Sequence, residues 1–131
     1  MRGSAEGLDS RRTYQAISDA IGRATAQTGR PMVLSVCNWG VASPWDWAPG
    51  MSAMWRTSGD IIYWGQSASM DRVLANFDSA QHPNAQSPGH YNDPDMLIVG
   101  MPSFSPRRTA RTWACGRSRG HRCWRATSSP R

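Results

Sequence analysis

Arg56 and Asp60 stand four residues apart in Trp55-Arg56-Thr57-Ser58-Gly59-Asp60-Ile61-Ile62, a cation and a carboxylate at the mouth of an apolar run. Trp45-Asp46-Trp47 precedes the stretch and Tyr63-Trp64 follows it. Aromatic neighbours strip water from a carboxyl group, and a guanidinium nearby orients any hydroxyl or anion that binds there. That combination suits a side chain that must give and take a proton. Taken alone, the spacing favours a surface turn with an incidental ion pair. The remainder of the chain favours the chemical reading.

A second acidic pair lies in His90-Tyr91-Asn92-Asp93-Pro94-Asp95, just before Met96-Leu97-Ile98-Val99-Gly100. Asp93 and Asp95 could ligate a metal, hold sugar hydroxyls or a catalytic arginine, or cap backbone amides at a strand entrance. Hard cations take six or more oxygens and no EF-hand spacing is present, so no metal or other cofactor is expected. Holding hydroxyls or the arginine is the favoured use. His90 reads as a structural histidine.

These groups need elements to carry them. Asp9 or Ser10 can cap a helix from about Thr13 to Gln27, whose Tyr14, Ile17, Ile21 and Ala24 form one apolar stripe. Gly29 stops it and Pro31 follows. Pro31-Met32-Val33-Leu34-Ser35-Val36-Cys37 then reads as a strand buried on both faces. Residues 38–55 form a loop rich in Trp, Pro and Gly, whose four indoles either recognise the apolar faces of sugars or seal the end of a barrel. Asp60 to Trp64 reads as a second strand or strand end. Ser69 can cap a second helix with Met70, Val73, Leu74 and Phe77 inward. A turn-rich connector, Gln81 to Gly89, leads to a third buried strand, Met96 to Gly100. Strands alternating with helices at this spacing predict an α/β fold with a parallel sheet.

The chain has 131 residues and a formal net charge of +6. Length allows one domain, and is too short for a complete (β/α)8 barrel, which takes roughly 200 residues or more. No apolar run approaches the length of a membrane span, so no membrane partner is expected. Met1-Arg2-Gly3-Ser4 leads into polar sequence without the pattern of a secretory leader. The charge is unevenly spread. Residues 1–100 carry seven Arg against nine acids, whereas residues 101–131 carry eight Arg and no acid. Cys37, Cys115 and Cys123 make neither a disulfide framework nor a zinc pattern.

Three motifs occur in the order and spacing of one family: Gly29-Arg30-Pro31 followed by Ser35-Val36-Cys37-Asn38-Trp39-Gly40; the Trp55 to Ile61 stretch; and Pro88-Gly89-His90-Tyr91-Asn92-Asp93-Pro94-Asp95-Met96-Leu97. From about residue 10 to residue 100 the chain resembles the melibiase, or α-galactosidase, family of retaining glycoside hydrolases, glycoside hydrolase family 27. Three separated motifs in register make the resemblance specific. It implies a (β/α)8 barrel, here about three strands and two to three helices of its central part, with the sugar at the C-terminal ends of the strands. It also implies double displacement by two carboxylates on α-galactoside substrates. Asp60 matches the acid/base, and Arg56 the arginine that contacts the sugar and positions the catalytic groups. Asp95 and Met96 match the strand end lining the pocket, and Trp39 lies in the motif around the first strand end. Cys37 matches a cysteine that in many relatives pairs with one just after the nucleophile. Asn38 stands where relatives often carry Glu or Gln. An extracellular location follows from the resemblance alone.

The departures are as informative. The family nucleophile is an Asp in a Lys-x-Asp strand end, and this chain has no Lys. After Gly100 the family continues with Asp-Arg-Thr-His, an apolar helix and a Pro-Leu-Leu strand, whereas from Arg107 onward this chain is basic and without period. Regrouping each back-translated codon's third base with the next two bases, from Arg108 to Thr127, can restore Asp-Arg-Thr-His-Leu-Gly-Leu-Trp-Ala-Ile-Ser-Gly-Ala-Pro-Leu-Leu-Ala-Gly-Asn. A frameshift near Ser103–Arg108 is therefore expected, with residues 1–100 a fragment of the catalytic domain and 101–131 an out-of-frame, disordered tail. The competing function is a small basic protein that binds nucleic acid through the Arg cluster with Trp113 and Trp124. The slightly acidic body argues against it, and no nucleic-acid partner is expected.

Overall fold

The structure is a computed structural model, which describes residues 7–101 apart from 64, 68, 97 and 99, together with 105–107 and 110. The first helix, α1, spans Ser10–Thr28. Asp9 caps it by accepting the Arg12 backbone N–H at 3.1 Å, and Gly29 ends it in the left-handed region at φ 69°. Its apolar stripe does not become a core face: no α1 residue is buried. It is held by the Tyr14 ring stacked on Trp47 at 5.9 Å and by Ser18 Oγ donating to the Met51 carbonyl.

Three short strands make one parallel sheet in the order β1 (Ser35–Val36), β2 (Met54–Arg56), β3 (Tyr91–Asp93). A one-turn helix, α2 (Pro44–Trp47), lies in the first crossover, and α3 (Met70–Ser79) followed by a 3-10 turn at Pro83–Ala85 makes the second. Parallel neighbours require such crossovers. Register aligns Val36 with Trp55 and Trp55 with Asn92, so one buried row crosses all three strands. Trp55 Nε1 donates to Asn92 Oδ1 at 2.6 Å, and Asn92 Nδ2 donates to the Ala80 and His82 carbonyls. That network satisfies the polar atoms that a buried row of this composition brings inside. Val36, Ala48 and Trp55 form one apolar cluster, and Ile61, Val73 and Ile98 a second beneath α3.

Several sequence expectations are corrected. The Pro31 to Cys37 segment pairs only at Ser35–Val36, and Val33 is 76% exposed. Among the described residues β1 is an outer strand with a neighbour on one side, so an apolar run there is not enclosed on both faces. Asp60 to Trp64 is not a strand over its described residues; the second strand is Met54–Arg56, too short to show an alternating pattern. The third strand is Tyr91–Asp93 rather than Met96 to Gly100, of which 97 and 99 lie outside the described residues. Pro94 has no N–H to continue the ladder, and Asp95, at φ 82°, turns the chain away. Ser69 caps α3 as expected, accepting the Arg72 N–H, but Leu74 points to solvent and Asn76 is buried in its stead. Most of the tail expected at 101–131 lies outside the described residues.

Candidate active site at the strand ends

Because all three strands run the same way, Val36, Arg56 and Asp93 end them at one edge of the sheet. The segments that follow carry the candidate residues: Cys37, Asn38 and Trp39 after β1, Asp60 after β2, Asp95 and Met96 after β3. A parallel α/β sheet gathers functional loops at this edge.

Arg56 is buried, and its Nη2 sits 2.7 Å from Asp60 Oδ1 and 2.9 Å from Asp95 Oδ2. The two carboxylates thus meet at one nitrogen. They are not equivalent. Asp95 accepts the Ile61 N–H on Oδ2 and the Met96 N–H on Oδ1, each at 2.7 Å, and its side chain is 11% exposed. Asp60 is 31% exposed, and among the described residues Arg56 is the partner its carboxylate has. Asp95 is a fixed anchor, and Asp60 is the carboxyl group a ligand can reach. Asp93 turns its Oδ1 to the Asp95 N–H, an amide cap of the kind short acids make. Arg56 Nε is buried without a hydrogen-bond partner, as are Trp39 Nε1 and Ser58 Oγ.

The turn after β1 rests directly on the end of β2. Gly40 N donates to the Arg56 carbonyl, and a Cβ on Gly40 would lie 2.4 Å from the Thr57 oxygen, so no larger residue fits. Trp39 itself adopts φ 54°, and Asn38 Nδ2 donates to the Val41 carbonyl. Trp39 meets Tyr63 edge to face at 6.5 Å. The other indoles are spent on packing: Trp45 stacks on His82 at 3.7 Å, Trp47 donates to the Ala42 carbonyl, and Trp55 is fully buried. Of the two uses open for the Trp-rich loop, packing accounts for Trp45, Trp47 and Trp55, while Trp39 stands at the strand ends against Tyr63. His90 is structural, its Nδ1 2.8 Å from the Ser52 carbonyl. Cys37 is exposed and free, and Met96 is 65% exposed. Among the described residues no three His, Cys, Asp or Glu side chains gather to hold a metal ion.

Sequence reasoning missed one residue of this region. Asn76, buried on α3, donates through Nδ2 to the Gly59 and Pro94 carbonyls at 2.9 and 3.1 Å. A polar residue on the apolar face of a helix was the available hint, and Leu74 masked it.

The chain is similar to known proteins over most of its residues. The profile of the Melibiase_2 family, described as alpha galactosidase A, matches residues 6–115. An alpha-galactosidase A of Cellvibrio japonicus is 39% identical over 100 residues, covering 71% of this chain and 24% of that protein. An alpha-galactosidase of Cyamopsis tetragonoloba is 40% identical over 81 residues, covering 61% of this chain and 18% of its own. The crystal structure of a candidate alpha-galactosidase from Bacteroides fragilis superposes with a TM-score of 0.51 at 35% identity, covering 70% of this chain and 20% of that one. The chain spans about a quarter or less of the length of these relatives. Its parallel sheet and helices match part of their α/β barrel. Similarity over most of its residues, in sequence and in fold, shows that the chain belongs to the melibiase, or alpha galactosidase A, family.

Proposed function

We propose that the strand-end cluster is the acid/base half of a retaining α-galactoside hydrolase site. Asp60 protonates the departing glycosidic oxygen and, in the second displacement, takes a proton from the attacking water. Arg56 orients Asp60 and binds sugar hydroxyls. Cys37, Asn38, Trp39, Asp95 and Met96 line the sugar pocket. The observation that carries this reading is the meeting of Asp60 and Asp95 at one buried guanidinium nitrogen, with Asp60 the exposed member.

Asp95 does not substitute for the nucleophile, because both its oxygens already accept backbone amides. The family's Lys-x-Asp strand end is not among these residues, which include no Lys. The 131-residue chain therefore binds galactosides weakly and does not turn them over. Its basic end, beyond about residue 103, is read as the out-of-frame continuation of the same gene.

Two measurements test this. Titration with D-galactose should shift the NMR resonances of Arg56, Asp60 and the Trp39 indole, with a Kd on the order of 1 mM, and D-glucose should not. Absence of any galactose-dependent shift ends the sugar-site assignment. Release of nitrophenol from nitrophenyl α-D-galactoside by the purified chain would refute the stated inactivity.

A further inference from the structure

The two carboxylates are carried by separate loops, and something must set the distance between them. The Gly59-Asp60-Ile61 segment is held at both of its peptide ends. On one side Asn76 donates to the Gly59 carbonyl, and on the other Asp95 accepts the Ile61 N–H. The same Asn76 nitrogen donates to the Pro94 carbonyl. Each acceptor is thus the residue immediately before a carboxylate, Gly59 before Asp60 and Pro94 before Asp95. An amide nitrogen carries two hydrogens, and here both are used on main chain that bears the site. Asn76 is buried in the middle of α3, which is fixed at its start by the Ser69 cap and along its face by Val73 packed on Ile61 and Ile98.

We propose that Asn76 is a positioning residue that joins the two carboxylate loops through one side-chain nitrogen and so holds Asp60, Arg56 and Asp95 in register. This rests on the reading of the cluster as a sugar-cleaving site, but the clamp makes a claim of its own. Loss of Asn76 frees the two loops to separate, and Arg56 Nη2 then loses its hold on one of its two acids. Asn76→Asp is the sharpest variant, because it keeps the shape of the side chain while replacing both donors with an oxygen aimed at two carbonyl oxygens.

The experiment is NMR of the 131-residue chain. Arg56 Nη hydrogens pinned by two carboxylates rotate slowly and give resolved resonances. Asn76→Asp should merge them into one exchange-averaged signal. Ser69→Ala, which removes the α3 cap and destabilises the helix without touching either loop, should leave them resolved. Resolved Arg56 signals in Asn76→Asp would overturn the proposal, and so would their merging in Ser69→Ala, since general loosening of α3 would then account for both. If Asn76→Asp does not fold, the wild-type chain decides. Through-hydrogen-bond couplings from Asn76 Nδ2 to the Gly59 and Pro94 carbonyl carbons support the clamp, and loss of either coupling refutes it. A D-galactose titration on the same samples separates the two claims. Merged Arg56 signals in the variant, with no galactose shift in the wild type, leave the clamp standing and remove the sugar-site reading.

Discussion

Asp60 and Asp95 are both carboxylates beside Arg56, yet their surroundings give them opposite work. Asp95 holds two backbone amides and a buried guanidinium at a left-handed φ, so its removal leaves two backbone N–H groups unpaired and takes from Arg56 one of its two carboxylates. Asp95→Asn, which tolerates the same φ, should destabilise the chain by about 2–3 kcal/mol, read as a fall in the urea midpoint. Asp60→Asn should cost less than about 1 kcal/mol, because its pair with Arg56 is partly exposed and Arg56 keeps Asp95. The same substitution should abolish the galactose-induced shift at Arg56. Equal stability losses for the two variants would mean that the division into anchor and reachable acid is wrong.

At the scale of elements, turns rather than strands set the site. Gly40 stands at φ 78° with the Thr57 carbonyl where its Cβ would be, whereas Gly29 stands at φ 69° with nothing within 4 Å. Gly40→Ala should therefore cost about 3 kcal/mol, combining backbone strain and overlap, and Gly29→Ala about 1 kcal/mol from strain alone. Urea unfolding of the two variants checks the ratio. Helix α1 offers a pH test through Tyr14, whose burial raises its pKa above the ordinary 10.0, with the charge of Cys37 adding to the rise. The folded state then holds the phenolic proton more tightly than the unfolded chain. Stability from this group is complete below pH 10.0 and is lost as pH rises through the higher folded value. Tyr14→Phe should flatten the decline in urea midpoint that the wild type shows above that pH.

For the molecule as a whole, the outer strands among the described residues are β1 and β3, and apolar groups such as Met32 and Val33, just before β1, are exposed. Such an edge invites pairing with another chain. Val33→Lys should reduce concentration-dependent light scattering of the purified protein, with no change in scattering marking the edge as inert. A cap at Asp9 or Ser10, of which the structure uses Asp9, the cap at Ser69, the stop at Gly29 and the alternation of helix with strand were legible in sequence, because caps and stops are local: one side chain or one φ decides each. The family motifs were legible for a related reason, since they record residue types at fixed spacing. Strand limits were not, because a two- or three-residue strand is defined by its neighbour's hydrogen bonds and has no period of its own. Nor could any local pattern separate Asp60 from Asp95, or show which loops Asn76 joins. Which acid is exposed, which is consumed by amides, and which side chain ties their loops depend on contacts between residues 17 to 39 positions apart, and those exist only once the sheet has brought the strand ends to one edge.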